Sequence, residues 1–155
     1  METETYKIPL TQGKYAIVDK DDYEKLSEHK WCVGKEGNVF YAQRKEHRTK
    51  TIKMHNVIMN TPKGFEVDHR DSDGLNNQKY NLRICTHQQN MFHKRPKKGR
   101  KYKGVYASIG KYSVVINCNG KSLRLCGFRN EVEAAKAYDL KAKELHGEFA
   151  YLNFP

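Results

Sequence analysis

No apolar run in the chain is long enough to cross a bilayer, and no segment reads as a basic amphipathic membrane anchor. The start, Met1 to Lys14, is polar and lacks the apolar stretch of a secretory signal. Cysteine is sparse. Cys32, Cys85, Cys118 and Cys126 are scattered with no Cys-x-x-Cys pair, which argues against a zinc ribbon or knuckle. Without export signals the same four argue against a disulfide framework. The expectation is a reduced, cytoplasmic protein with no membrane partner. Acid is the scarcer charge: 18 Asp+Glu stand against 29 Lys+Arg, a formal net charge of +11 over 155 residues. Such an excess serves solubility, but it also favours a polyanionic partner. Its uneven spread along the chain favours nucleic acid.

Three zones follow one another. In the first, about Tyr6 to Asn60, Tyr15-Ala16-Ile17-Val18 and Val39-Phe40-Tyr41-Ala42 read as short strands. Asp21-Asp22-Tyr23-Glu24-Lys25-Leu26 between them starts like a short helix, with acids in its first turn. Thr51-Ile52-Lys53-Met54 fits a strand or the entry to a helix through His55-Asn56-Val57-Ile58-Met59. The second zone, about Thr61 to His93, is dense in Asp, Asn and His. Asp71-Ser72-Asp73-Gly74 is a turn signal, and Thr86-His87-Gln88-Gln89 fits a helix-start capping box. Lys94, Arg95, Lys97, Lys98, Arg100, Lys101 and Lys103 then crowd a stretch with Pro96, Gly99 and no acid. Residues 94–101 read as a basic linker suited to tracking phosphates.

The third zone, Tyr102 to Pro155, has the plainest periodicity. Tyr112 to Asn117 reads as a strand, Asn119-Gly120 as a two-residue hairpin turn, and Lys121 to Leu125 as the returning strand. Asn130 caps a helix with Glu131 and Glu133 in its first turn. Val132, Ala135, Tyr138, Ala142 and Leu145 form its apolar face, and Gly147 ends it.

Phosphodiester hydrolysis needs a base for water and a cation against the charge on the phosphate and leaving oxygen. Val67-Asp68-His69 offers both: His69 ionises near neutrality, and Asp68 is a hard oxygen ligand suited to Mg2+ or Mn2+. Neighbours on a strand point to opposite sides, so a bulge or turn is needed for both to serve one site. Asn90, on the capped helix, is a candidate second oxygen ligand. His87 and His93 lie near it as rivals. His55 reads as structural. Asp71 and Asp73 resemble the start of a calcium loop whose remaining ligands are absent.

Met54-His55-Asn56-Val57-Ile58-Met59, Val67-Asp68-His69, Gly74-Leu75, Asn81-Leu82-Arg83 and Thr86-His87-Gln88-Gln89-Asn90 resemble the HNH endonucleases of phage and mobile introns, including the homing type. The resemblance extends more loosely over Ile8 to Gly13 and Tyr15 to Val18. It implies a ββα-metal fold with one divalent ion. Asp68 and Asn90 would ligate the ion, His69 would activate water, and Asn81 would hold the His69 ring through a hydrogen bond. The products implied are a 5′-phosphate and a 3′-hydroxyl. Two positions depart from the pattern: Leu75-Asn76-Asn77 lacks the usual acid, and the last motif position is Asn90 rather than His.

Tyr102-Lys103-Gly104-Val105, Gly110-Lys111-Tyr112, Gly127-Phe128, Glu133 to Asp139 and Tyr151-Leu152-Asn153-Phe154-Pro155 resemble the APETALA-two/ethylene-response-factor DNA-binding domain. That resemblance implies a three-stranded antiparallel sheet lying in the major groove with a helix behind it. Strand parity puts Tyr112, Val114, Ile116, Leu123 and Leu125 under the helix. It leaves Ser113, Val115, Asn117, Ser122 and Arg124 on the opposite face. Arg124 is the best base reader, through paired donors to guanine, and Asn117 suits adenine. Tyr106 shares the recognition face, while Lys103 and Lys111, with Lys97, Lys98, Arg100 and Lys101 of the linker, suit phosphates.

The expected fold class is thus α+β: an N-terminal mixed α/β region leading into a ββα-metal unit, then a three-stranded antiparallel sheet on one α-helix. The expected domains are 1–93, linker 94–101 and 102–155. The expected function is a metal-dependent, site-directed endonuclease of double-stranded DNA, of phage or mobile-element origin. One active site per chain makes nicking as a monomer, or a weak dimer on DNA, the simplest outcome. A DNA-binding regulator with a decayed nuclease unit is the alternative. An RNA-binding protein is less well matched, because the deep, narrow major groove of duplex RNA excludes side chains.

Overall fold

A computed structural model describes residues 4–47 and 49–155. The chain is mixed α/β, with small antiparallel sheets, and divides into two compact units, Met1–His87 and Gln88–Pro155. Among the described residues no helix is long and apolar enough to cross a membrane.

In the first unit, period-two alternation builds a hairpin from β1 (Thr5–Pro9) and β2 (Tyr15–Asp19). Ile8 pairs with Ala16 and Tyr6 with Val18, turning Ile8, Ala16 and Val18 inward. The helix α1 (Lys20–Ser27) follows directly. Asp21 and Asp22 stand in its first turn, where the positive end of the helix favours them, and Leu26 anchors it in the core. Trp31 donates Nε1–H to the Leu26 carbonyl at 2.7 Å, satisfying an acceptor at the helix end. The strands β3 (Cys32–Glu36), β4 (Val39–Glu46) and β5 (Lys50–Lys53) form a sheet in that order, and α2 (Met54–Ile58) begins at the next residue. Strand and helix entry were both open for Thr51 to Met54, and the segment is divided between them. Met54 completes a buried cluster with Ile8, Val18, Leu26 and Trp31. Burying aliphatic side chains of this size stabilises by roughly 1.5–3 kcal/mol each.

A second hairpin joins β6 (Glu66–His69) to β7 (Leu82–Cys85), paired from Glu66↔Cys85 to His69↔Leu82. The intervening loop, 70–81, is stitched to β2. The Ile17 N–H donates to Leu75 O at 2.9 Å, and the Asn77 N–H to Ile17 O at 2.7 Å. Asp19 precedes α1 but does not cap it with its side chain. Its carboxylate instead accepts from the Lys79 N–H at 2.7 Å and from Gln78 Nε2 at 3.3 Å.

The second unit carries α3 (His87–His93), which starts on the last residue of the first, then β8 (Val105–Ser108), β9 (Lys111–Cys118), β10 (Lys121–Phe128) and α4 (Glu131–His146). The three strands form an antiparallel sheet in the order β10-β9-β8, and α4 packs on it. Asn119 (φ 51) and Gly120 (φ 73) both take the left-handed conformation that a two-residue hairpin turn demands. Asn130 Oδ1 accepts from the Glu133 N–H at 2.8 Å, and Glu133 Oε2 accepts from the Arg129 N–H at 3.0 Å. Val114, Ile116, Ala135, Tyr138 and Ala142 are buried between sheet and helix. Two expected members of that core stand outside it: Leu123 is 37% and Val132 40% exposed. Leu123 lies on the edge strand β10, most of whose side chains are exposed. Val132 sits in the first turn, beyond the stripe formed by Ala135, Tyr138, Ala142 and Leu145.

The closing segment is held by one acid. Asp139 Oδ1 accepts from the Asn153 N–H at 2.8 Å, and Oδ2 from the Phe154 N–H at 2.8 Å. Asn153 Oδ1 in turn accepts from the Lys103 N–H at 2.7 Å. Beside it Gly104 (φ +73) cannot carry a side chain, since a Cβ would lie 2.2 Å from the Tyr138 ring.

Candidate active site

β6 delivers Asp68 and His69 as its last two residues, and both are buried. The ladder runs through them without a register shift, so the anticipated bulge is absent and the two alternate across the hairpin. Asp68 faces its cross-strand partner Arg83, whose Nε and Nη2 lie 2.8 and 2.6 Å from the same oxygen, Oδ2. Both side chains are 7% exposed, and in such a setting a charge is tolerable only when paired. The pair fixes the Asp68 carboxylate.

His69 is the last rung, at the mouth of loop 70–81. Its ring meets His55 edge-on at 5.0 Å between centroids and Tyr41 at 5.8 Å. Burial pulls the His69 pKa below the ordinary imidazole value, and Asn77, Asp71, Asp68 and Asp73 oppose that shift. His55 is pushed down to about 3 by burial first, then by His69 and Lys53. Burial also raises the Tyr41 hydroxyl pKa, with Glu36 and Asp68 adding to it. His55 and Tyr41 thus wall the His69 ring with aromatic surface. Gly74 lets the loop close on it: a Cβ there would sit 2.4 Å from Phe40 O and 2.5 Å from the Tyr41 ring.

Asn81 was expected to hold the His69 ring, and the structure corrects this. Asn81 Nδ2 donates to Asp71 Oδ1 at 3.0 Å and to Asn76 O at 2.8 Å, while Oδ1 accepts from the Asp71 N–H at 3.0 Å. The side chain ties the two ends of the loop together. Asn77, which sequence reasoning passed over, is fully buried in the same loop, its Nδ2 donating to Leu75 O at 3.1 Å. Among the described residues His69 Nε2 and Asn77 Oδ1 are each buried without a hydrogen-bond partner. Asp71 and Asp73 hold the loop rather than a calcium ion. Asp71 accepts from the Asp73 N–H at 2.8 Å and from Asn76 Nδ2 at 2.7 Å, and Asp73 accepts from the Leu75 N–H at 3.0 Å.

Of the rival ligands, His87 Nδ1 lies 2.7 Å from Glu66 Oε1, and His93 packs near Tyr151 in the second unit. Asn90 stands on α3 within the second unit. Among the described residues no three His, Cys, Asp or Glu side chains gather as a metal-binding group. Arg83 and Asp19 are the other contributors not anticipated. The Asn81-Leu82-Arg83 run contained the first signal, because hairpin pairing sets Arg83 opposite Asp68.

In the second unit Lys97, Lys98, Arg100, Lys101, Lys111, Tyr106, Asn117 and Arg124 are all exposed. Arg100 lies over the Tyr106 ring, 4.2 Å from its centroid. Asn117 Oδ1 accepts from the Ser122 hydroxyl at 2.5 Å. Lys103 is a correction. Its ammonium donates to the carbonyls of Phe92 and Lys94, and burial lowers its pKa to about 8. It neutralises the carbonyl end of α3 and is not presented to a phosphate.

The HNH endonuclease family model matches residues 60–92, the span that carries β6, loop 70–81, β7 and most of α3. An uncharacterised HNH endonuclease of Acanthamoeba polyphaga mimivirus is 35% identical over 144 residues, covering 92% of this chain and 76% of that protein. No solved structure matches. A buried Asp-His pair at a strand end, an Asn-clamped loop behind it and this similarity over nearly the whole length have one reading: the chain belongs to the HNH endonucleases.

Proposed function

We propose that the protein is a metal-dependent, site-directed endonuclease of double-stranded DNA, of the homing type, that nicks one strand per event. The observation carrying this is the buried pair Asp68–His69: a carboxylate fixed by Arg83 beside an imidazole whose neutral form burial favours. A neutral imidazole is the form that accepts a proton. His69 takes the proton from the attacking water. The water oxygen bonds to phosphorus, the P–O3′ bond breaks and the departing O3′ takes a proton from solvent, leaving a 5′-phosphate and a 3′-hydroxyl.

The buried Asp68 carboxylate fits a hard divalent cation. Asp68 would supply a carboxylate oxygen whose orientation Arg83 sets, and Asn90, proposed from the motif alone, would supply a neutral amide oxygen. Such a set suits Mg2+, or Mn2+, ions that keep several waters. When bound, the ion supplies positive charge against the phosphate and the leaving oxygen. Asn81 keeps loop 70–81 closed behind His69.

The second unit is proposed to dock on DNA like an ethylene-response-factor domain, through the sheet face that carries Tyr106, Asn117 and Arg124. Its sheet-on-helix build and the exposure of these residues support the reading. Lys97, Lys98, Arg100, Lys101 and Lys111 would follow phosphates, and the stretch 94–101 would tether the cutter to the docked module.

The test is cleavage of supercoiled plasmid with Mg2+, with EDTA, and with His69→Ala in Mg2+. Open circles are expected only from wild-type protein with metal. Undiminished cleavage by His69→Ala would remove His69 from the mechanism, and linear product would replace nicking with paired cuts.

A further inference from the structure

We propose that residues 94–103 form a preformed phosphate-binding loop on the second unit, latched at its neck by the Lys103 side chain and fitted to the sugar-phosphate backbone of duplex DNA. The proposal rests on the reading of the second unit as a DNA-docking module. It adds that Lys103 positions the loop without touching the DNA.

Lys94, Arg95, Lys97, Lys98, Arg100 and Lys101 are all exposed, and the stretch holds no acid. Such a run repels itself and is ordinarily slack, extended chain. Here its two ends meet instead. The Lys103 ammonium donates to Lys94 O at 2.6 Å and to Phe92 O, one turn earlier at the end of α3. Both jaws of this latch are fixed. On one side Phe92 stacks on His146 with ring centroids 3.7 Å apart, and His146 Nε2 lies 2.9 Å from Asn117 O. On the other, the Lys103 N–H donates to Asn153 Oδ1 at 2.7 Å, and the Lys103 carbonyl accepts from Asn153 Nδ2 at 3.3 Å. Between the jaws the chain turns on itself: the Arg100 N–H donates to Lys97 O at 3.0 Å, and Gly99 (φ +87) supplies the left-handed residue. Arg100 rests over the Tyr106 ring at 4.2 Å and Lys101 over the Tyr102 ring at 5.1 Å. Lys103 is the cation that stands apart. Its donors are spent on carbonyls, while the six exposed heads are left for a polyanion. A loop ordered before the duplex arrives loses little conformational freedom on binding, and this is where the latch acts.

Duplex affinity of the full chain, measured by fluorescence anisotropy in EDTA over a series of salt concentrations, separates a latch from a contact. Lys103→Met, similar in length and without a donor, is expected to weaken binding roughly 10-fold on unrelated duplex sequences alike, with the salt slope unchanged. Lys97→Ala and Lys98→Ala, as phosphate contacts, should each lower that slope by about 1. Wild-type affinity in a folded Lys103→Met protein, or a slope lowered by about 1 as for a direct contact, overturns the proposal. Brief trypsin digestion reads the latch in the wild-type chain itself. The bonds after Lys97, Lys98, Arg100 and Lys101 should resist, and rapid cutting there while the rest of the second unit stays intact overturns the latch, whether or not Lys103→Met folds. A wild-type chain that binds no duplex would refute the docking reading and the phosphate assignment with it. Duplex binding with slopes unmoved by Lys97→Ala and Lys98→Ala would refute the loop alone.

Discussion

Loop 70–81 and the sheet–helix of the second unit are held by different forces. The loop has almost no apolar interior of its own. It is a chain of short, directed bonds in which Asp71, Asp73, Asn76, Asn77 and Asn81 satisfy one another's side chains and backbone. Each such bond contributes about 1 kcal/mol net, yet losing one leaves a buried partner unmet. The second unit rests on area: Val114, Ile116, Ala135, Tyr138 and Ala142 remove one continuous apolar surface from water. Polar networks fix positions sharply and tolerate little, whereas apolar cores supply stability and tolerate local change. The His69 ring is attached to the first kind of structure.

The contrast can be broken most directly at Tyr138. Tyr138→Ala should destabilise the second unit by about 3–5 kcal/mol, judged from other large-to-small aromatic changes. Urea unfolding followed by a probe in each unit would check it. A loss shared equally by both units would show that they unfold as one.

Acid tests the first unit. His55 is held neutral, with its pKa lowered from 6.5 to about 3, and His69 and His146 are lowered as well. A histidine with a lowered folded pKa binds fewer protons folded than unfolded. Its stabilising share is therefore present above 6.5 and is lost as pH falls below that value. His55 alone should cost about 2 kcal/mol between pH 6.5 and pH 5, from 1.36 kcal/mol per pH unit. His55→Phe should flatten the curve by that share, as read from urea midpoints against pH. An unchanged slope would mean that His55 is not buried neutral.

A smaller effect is expected at Asp71, where Asp71→Ala should cost about 1–2 kcal/mol of stability. It should also reduce nicking by roughly 10- to 100-fold, because the loop behind His69 loses its clamp. Cleavage unaffected by a loosened loop would uncouple the network from the site. At the second unit's helix cap, Asn130→Ala should cost about 1 kcal/mol and leave single-strand cleavage at saturating DNA intact. Thermal melts with parallel nicking assays would separate these two cases.

The second unit was legible in the sequence because its determinants are local and periodic. Asn119-Gly120, the Asn130 cap and the Tyr138-Ala142 spacing each act within a few residues. Where the reading failed there, neighbours in space decided: Leu123 falls on an edge strand, and the Lys103 ammonium is drawn to carbonyls at the end of α3. In the first unit Asp68, His69 and Asn81 were recognisable as a motif, but not who touches whom. Asn77 and Asn81 are chemically alike and four residues apart. Which groups each one ties depends on the path of the loop, and that path is fixed by Ile17 and Asp19, some 60 residues earlier. Arg83 was quoted only as part of a motif, and its partner emerges from cross-strand register.

The straps between Ile17 and the loop have a consequence for how the enzyme meets its substrate. The amide protons of Ile17 and Asn77 are bonded between β2 and loop 70–81 and should exchange with solvent only when the loop separates from that strand. The conformational entropy of ordering the segment behind the base is therefore lost during folding, before DNA arrives, and substrate binding need not organise it. Selectivity that depends on rearrangement at the moment of binding has to originate elsewhere in the chain.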